Sequence, residues 1–417
     1  MLLGRLARVI IRRFRKGGGS ALPGLILSKI APGLLFKTLR RFPDGLIVVT
    51  GSAGKSTTTK MLVAVARAHG KSVFTNPSTA NILQGFYSTI IEQSNLRGVI
   101  KADVAILEMD EGHAALLSNK VPPNTVAILN VMEDQLDRFV DPALVRDTLG
   151  RVAKFATENV VLNADDENMR LLAQSANSLR GLTWFGIAGE VLDTQRDGLG
   201  TAPTYLPSLE RPVVSSEVVT NSELSYGVVV AGVKAQVNLA TRGLHFAVDA
   251  ICALETARKY LGGLFDLSLA TKTISELPPV FARGEIVEIN GEPVEFVLVQ
   301  NPGSMQLNLD NLTTNPEQIM FAIGRDVHDP SWMWTVDYAG LSHVNIVTGF
   351  NAGEAALLLK YAGIPFDLME PDLEKAIEKF LALPRPKDGI KTVIFSADAM
   401  RRMRRALGFW SPNEVTR

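Results

Sequence analysis

LIVVTGSAGKSTTTKMLVAVARAHG, residues 46–70, decides how the rest of the chain is read. An apolar, β-branched run ends at Thr50, a turn with glycines at 51 and 54 follows, and a helical stretch opens with Lys55, Ser56 and Thr57. Glycine accepts backbone angles that let consecutive N–H groups converge on an anion, and the helix behind the turn adds its positive N-terminal end. Lys55 supplies a point charge for terminal phosphates, and Ser56 or Thr57 a hydroxyl for Mg²⁺. Val49 stands where the long loop GxxxxGK[ST] has its first glycine, so the match is to the short form GxxGK[ST]. Strand before and helix after support a nucleotide cradle made by Gly51, Ser52, Ala53, Gly54, Lys55, Ser56 and Thr57. The plainer alternative, a glycine-rich turn with an exposed lysine, leaves the two hydroxyls unexplained.

Outward from this stretch, strand and helix alternate. Residues 72–75 read as a strand, 82–93 as a helix, 104–108 and 125–131 as strands apolar on both faces, and 143–157 as a helix. A strand over 159–162 and a helix over 167–175 continue the pattern. This alternation predicts an α/β fold with a doubly wound, mainly parallel sheet and its ligand at the carboxyl ends of the strands. Residues 187–243 break the rhythm with frequent Gly, Pro, Thr and Ser, and read as a small β-rich insertion. A helix returns over 244–260, and 277–282 reads as a linker. A second α/β domain follows, opening with a hairpin that turns at Asn290-Gly291. Its strands are expected at 318–323, 344–348 and 392–395, with helices at 352–361 and 372–383. The expected division is 1–44 as a basic N-terminal helical segment, 45–276 as the nucleotide domain containing the 187–243 insertion, and 277–417 as the C-terminal domain.

At 417 residues the chain can bury more than one core, and 46% apolar with 21% charged residues is an ordinary globular balance. A net charge of zero gives no global attraction to nucleic acid. Cys252 is the only cysteine, which excludes internal disulfides and a cysteine-based zinc site and fits a reducing cytosol. Its apolar setting, DAICALETA, reads as core. Charge is uneven, however: ten Lys and Arg residues precede the first acid, Asp44. In MLLGRLARVIIRRFRK the apolar residues recur at helical spacing with arginines between them. Such a helix lies on an anionic membrane surface or packs on the protein with its arginines solvated. No run there reaches the roughly 20 apolar residues that span a bilayer. The flexible GGGSALPG, residues 17–24, separates it from a second helical stretch expected to reach Phe42.

Polar residues stand at the ends of the expected strands. Glu108 ends VAILE and is the candidate carboxylate for Mg²⁺. Asp110 and Glu111 follow it and serve a site or a solvated loop equally well. Asn130, Asp134, Gln135 and Asp137 follow the next strand, and Asn163, Asp165 and Asp166 the one after.

Several strings are distinctive in order and content. GSAGKSTTTKML, TANILQG, AILEMDEGHA, DQLDRF, LNADDEN and FARGE resemble the ATP-binding core of the Mur ligase superfamily. GGGSALPG, VQNPGSMQ, DPSWMWTVD and LLLKYAGIP further resemble its MurT-type members, the synthetase subunits of lipid II isoglutaminyl synthases. The resemblance runs from Gly17 to Leu407. It implies ATP-dependent amidation of the D-glutamate α-carboxyl in the lipid II stem peptide, through an acyl phosphate. Ammonia would come from a GatD-type glutaminase partner at the inner membrane face. It further implies phosphate contacts from Lys55 and Arg283, nucleotide contacts from Asn81 and Asn163, and Mg²⁺ on Ser56 or Thr57 and Glu108. Asp329 of DPSWMW would complete the partner's Cys–His pair, with Asp326 and Asp337 as rivals. A turn at Asp329-Pro330 with Trp332 and Trp334 packed nearby is the plainer reading of that segment, and Arg283 paired with Glu285 that of FARGE.

Three departures from the resemblance stand out. The insertion lacks the four cysteines of a zinc ribbon, so no zinc is expected. Where an HNxxN string is usual on the adenine side, the chain has His245, Phe246 and Asp249. Gln300 and Thr335 stand where charged residues are expected. An amino-acid-adding ligase of Mur or folylpolyglutamate type, and a nucleotide-binding scaffold without catalysis, are the competing functions.

Overall fold

The computed structural model describes residues 22–77, 80–95, 99–132, 141–176, 178–195, 198–278, 283–312, 316–387 and 389–409. The amphipathic helix expected near the N-terminus, the first residues of GGGSALPG, Asp134, Gln135 and Asp137, and the first two residues of FARGE lie outside the described residues.

The first sheet has nine strands. They are β1 (Leu46–Thr50), β2 (Val73–Phe74), β3 (Val104–Glu108), β4 (Thr125–Ile128), β5 (Asn159–Asn163), β6 (Thr183–Ile187), β7 (Ser216–Ser222), β8 (Ser225–Val230) and β9 (Val233–Asn238). Their order is β2-β3-β1-β4-β5-β6-β7-β8-β9. Every neighbouring pair from β2 to β7 is parallel, whereas β7, β8 and β9 run antiparallel. The β-rich stretch therefore continues the main sheet at one end. β8 alternates half-buried and buried residues throughout, as a strand covered on one face does. β1, β3 and β4 are instead buried at every position.

The N-terminal domain carries α1 (Leu22–Ile30), α2 (Leu34–Leu39), α3 (Lys55–Ala68), α4 (Leu83–Gln93), α5 (Glu111–Lys120), α6 (Pro142–Phe155), α7 (Glu167–Ser175), α8 (Gly189–Leu192), α9 (Leu244–Leu261) and α10 (Leu267–Ser275). Alternate residues of β1 sort to opposite faces: Ile47 and Val49 pack under α3, α9 and α10, and Leu46 and Val48 under α1, α2 and α4 to α7. The expected single helix reaching Phe42 is two, α1 and α2, divided at Ala31-Pro32-Gly33. Proline there has no N–H to continue the ladder and its ring crowds the preceding turn.

The second sheet comprises β10 (Arg283–Ile289), β11 (Glu292–Leu298), β12 (Gln318–Ala322), β13 (Val344–Thr348), β14 (Phe366–Glu370) and β15 (Lys391–Phe395), in the order β10-β11-β15-β12-β13-β14. The β10–β11 pair is an antiparallel hairpin and the rest are parallel. At its turn Asn290 (φ 54°) and Gly291 (φ 79°) both take left-handed angles, as a two-residue hairpin loop requires. Helices α11 (Pro302–Asp310) and α12 (Ala352–Tyr361) cover one face, and α13 (Leu373–Leu381) and α14 (Ala397–Ala406) the other.

Among the contacts that join the domains, Gly284 lies against Thr241 and two others stand out. Lys60 Nζ on α3 donates to the linker carbonyl of Pro278 at 2.8 Å. Gly200, in the loop after β6, lies against Gly303 at the start of α11, so close that a Cβ on Gly303 would stand 3.0 Å from Gly200 O and 3.2 Å from Met132 Sδ. Among the described residues no helix is long and apolar enough to cross a membrane.

Candidate functional site

Parallel pairing sets the carboxyl ends of β3, β1 and β4 side by side, with Val49 opposite Glu108 and Thr50 opposite Ile128. The loop between β1 and α3 lies over these ends. Gly51 (φ 124°) and Gly54 (φ 84°) hold positive angles, and Gly54 caps α3 in the left-handed region, where glycine costs least. Asn130, just beyond β4, braces the loop. Its backbone O accepts from Ser52 N at 3.0 Å, its Oδ1 accepts from Ala53 N at 2.9 Å, and its Nδ2 donates to Ala53 O at 3.3 Å. Ser52 Oγ in turn accepts from Met132 N at 3.1 Å. The loop is therefore tied to the neighbouring strand end, and Gly54 opens directly onto the positive end of a 14-residue helix.

Lys55 is the first residue of that helix. Its Nζ donates to the carbonyls of Gly51 and Ser52 and to Glu111 Oε1 at 3.0 Å, with side chains only 14% and 6% exposed for the lysine and the glutamate. Glu111 opens α5, after Asp110 as its N-cap. Asp110 N donates to Asn81 O at 3.1 Å, which sets Asn81 beside the same rim. Glu108 is 3% exposed at the end of β3, where both amide atoms of Asn76 clamp its main chain at 3.0 Å. Ser56 is half-buried on the first turn of α3, and Thr57 is buried.

Among the described residues no three His, Cys, Asp or Glu side chains gather as a ready-made metal site. Mg²⁺ seldom uses such a cage; it takes one or two carboxylates and phosphate oxygens and keeps several waters. A helix-start hydroxyl (Ser56) and a strand-end carboxylate (Glu108) suit that donor set.

The acids beyond β5 have other work. Asp166 caps α7, accepting from Val131 N at 2.7 Å and Asn168 N at 2.8 Å, and burial pushes its carboxyl up to about 6 against the pull of those N–H groups. Asp165 pairs with Arg211 at 2.6 Å and accepts from Ile187 N. Asn163, at the end of β5, accepts Asp165 N within its own turn at 3.0 Å. A buried carboxylate also approaches from α9: Asp249 abuts Gly54, and its carbonyl takes Thr58 Oγ1 at 3.4 Å.

From the first turn of α3 a groove runs alongside the helix, lined by Thr57, Lys60, Met61, Thr241, Phe246 and Pro278. It continues between the domains past Arg242, Gly284, Glu295 and Asn308. Burial lowers the Lys60 pKa, opposed by the charge of Glu285. Glu285 itself pairs with Arg404 of α14 at 2.8 Å. Arg283 begins β10 opposite Val297, beside the groove residue Gly284.

Asp329 belongs to the other domain. It is exposed beyond β12 and caps the short 3₁₀ turn Pro330–Thr335, accepting from Ser331 N at 2.9 Å; hydrogen bonding from Ser331 holds its carboxyl below the usual value. Asp326 accepts from Ser396 Oγ at 2.6 Å, and Asp337 from Ala339 N at 2.9 Å. Trp334 donates to Glu354 at 2.9 Å and meets Tyr361 edge-on, while Trp332 packs against the core under α12. The structure thus gathers Gly51 to Thr57, Asn81 and Glu108 at one rim and sets Asp329 apart. Two contributors were not singled out for these roles from sequence, Glu111 as the partner of Lys55 and Asn130 as the brace.

Comparison with known proteins agrees with this architecture. The family model described as the Mur ligase middle domain matches residues 49–204, and the one described as the MurT ligase C-terminal domain matches 298–396. The lipid II isoglutaminyl synthase (glutamine-hydrolyzing) subunit MurT of Streptococcus pneumoniae is 24% identical, over 88% of this chain and 87% of that one. The Staphylococcus aureus protein of the same name is 23% identical over 90% and 91%. Among solved structures, MurF from Acinetobacter baumannii aligns with a TM-score of 0.68 at 17% identity, covering 93% of this chain and 80% of that one. MurF from Thermotoga maritima in complex with ADP aligns at 0.65 and 20% identity, over 93% and 83%. With both domains matched and full-length relatives of one kind, the chain belongs to the MurT family of the Mur ligase superfamily.

Proposed function

We propose that this chain is the synthetase subunit of a lipid II amidating enzyme, working with a GatD-type glutaminase at the inner face of the plasma membrane. One observation carries the reading: the Gly51–Thr57 loop, braced by Asn130 and opening onto α3, lies in a chain whose second domain is of the MurT type. Phosphoryl transfer to a carboxylate needs alignment and charge neutralisation more than a nucleophilic side chain. Lys55 and the N–H groups where α3 begins, at residues 54–56, would hold the β- and γ-phosphates, and Arg283 would meet them from the second domain. The base would lie in the groove between Thr57, Thr241 and Phe246, with Asn81 and Asn163 meeting the nucleotide from the strand ends. Mg²⁺ on Ser56 and Glu108 would neutralise charge on the phosphate oxygens.

The D-glutamate α-carboxylate would attack the γ-phosphorus and release ADP. Ammonia would then add to the acyl carbon, lose a proton to solvent and expel phosphate, leaving the primary amide. Asp329, ionised and exposed, would enter the glutaminase site and orient its histidine.

The test is mass spectrometry of lipid II incubated with the complex. A change of one OH to NH₂ that requires ATP and glutamine, or ATP and free ammonia, supports the proposal. Product formed from an amino acid instead, or no ADP release with lipid II, overturns it. Lys55→Ala should abolish ATP turnover. Asp329→Asn should cripple glutamine hydrolysis while ammonia-driven amidation persists.

A further inference from the structure

We propose that Glu111 makes nucleotide affinity depend on a divalent cation, by competing with phosphate for the Lys55 ammonium. The inference rests on the nucleotide site proposed above and adds a residue to it. Three observations carry it. First, Lys55 Nζ reaches Glu111 Oε1 at 3.0 Å, and both side chains are almost wholly out of solvent. Such a pair is poorly screened, so it competes far better than a surface ion pair does. Second, an ammonium has three N–H donors, and the Gly51 carbonyl, the Ser52 carbonyl and Glu111 already engage it. A phosphate oxygen gains a Lys55 donor only by displacing one of these. The two carbonyls belong to the loop that wraps the phosphates, whereas Glu111 stands on a separate element, α5. Third, Glu111 is fixed at the first turn of that helix, next to the N-cap Asp110 that bonds Asn81, so its main chain cannot retreat from the rim.

Displacement has a consequence. A triphosphate that takes Lys55 leaves the Glu111 carboxylate, 4% exposed, facing new negative charge without its cation. Burying an unpaired carboxylate beside an anion is strongly unfavourable. A divalent cation between the two removes the conflict, and Glu111 then faces it directly or through water. Glu111 would thus act as a positioning residue, holding Lys55 in one state and the metal side in the other. Metal-free nucleotide would meet a closed ion pair; metal-loaded nucleotide would exchange it for an equivalent one.

The experiment is calorimetric titration of the full chain with ADP, with Mg²⁺ and with EDTA, on wild type, Glu111→Gln and Glu111→Asp. Wild type should bind ADP at least tenfold more tightly with Mg²⁺. Glu111→Gln should gain about tenfold in metal-free affinity and lose most of the metal dependence, while Glu111→Asp keeps the charge and retains it. Thermal melts without ligand establish that each variant is folded. Equal metal-free affinity in wild type and a folded Glu111→Gln overturns the proposal. Absence of ADP binding in every variant under both conditions overturns the nucleotide site itself, and this inference with it.

Discussion

Gly54→Ala isolates the geometry on which the phosphate cradle depends. Gly54 sits at φ 84°, a left-handed angle that costs an L-residue about 1–2 kcal/mol. The added methyl meets a second obstacle, because a Cβ built there runs into Asp249 Oδ1 and stands 3.0 Å from its Cγ. Asp249 is buried on α9, which packs along α3, so its displacement resembles overfilling a core, at about 1–3 kcal/mol. The combined cost is roughly 2–5 kcal/mol, felt where α3 begins. Chemical denaturation and ADP calorimetry read both parts. The variant should lose stability by that amount and bind ADP at least tenfold more weakly. In an Asp249→Ala background the steric part vanishes, and the same substitution should cost only the ~1–2 kcal/mol of backbone strain. Equal costs in the two backgrounds would refute the claim that Asp249 presses on the loop. Unchanged ADP affinity in a Gly54→Ala protein would refute the cradle.

Asn130→Ala removes both side-chain bonds to Ala53; a loss of about 1–3 kcal/mol and a roughly tenfold weaker ADP affinity should show in denaturation and calorimetry. Asp166 tests linkage. Its carboxyl titrates near 6 when folded, above the ordinary value of 3.8, so the folded state holds more protons between those pH values. Its contribution is fully present below the unfolded pKa and lost as pH rises through about 6. Wild type should therefore gain up to ~3 kcal/mol of stability relative to Asp166→Asn from pH 7 to pH 4; a difference independent of pH contradicts the shift.

Much of the fold was legible because β1, β3 and β5 are short apolar runs separated by helices of ordinary period. The elements that escaped did so for local reasons. Asn301-Pro302-Gly303 looks like a turn, yet Asn301 and Ser304 form a capping box and Pro302 occupies the first turn, where its missing N–H is harmless. In α14, four arginines mask a stripe of Ala399, Met400 and Met403 that faces the second sheet. The stretch 187–243 lost the expected rhythm because β7 to β9 lie at the sheet's end, where alternation replaces continuous apolar runs. At the site, the loop residues are contiguous and readable. Asn130 and Glu111 stand at expected strand ends, but their roles were not legible, since pairing of β1 with β4 and β3 brings them to the loop from 56 or more residues away.

The meeting of Gly200 with Gly303 bears on how the two halves can move. Main chain touches main chain at that point, with the flexible Met132 thioether beside it, so tilting one half on the other there disturbs little side-chain packing. The spot has the character of a smooth bearing at the mouth of the cleft. A single methyl placed on Gly303 becomes a wedge, prising the halves apart at their fulcrum and widening the opening further out. Small-angle scattering of Gly303→Ala should register that as a larger radius of gyration.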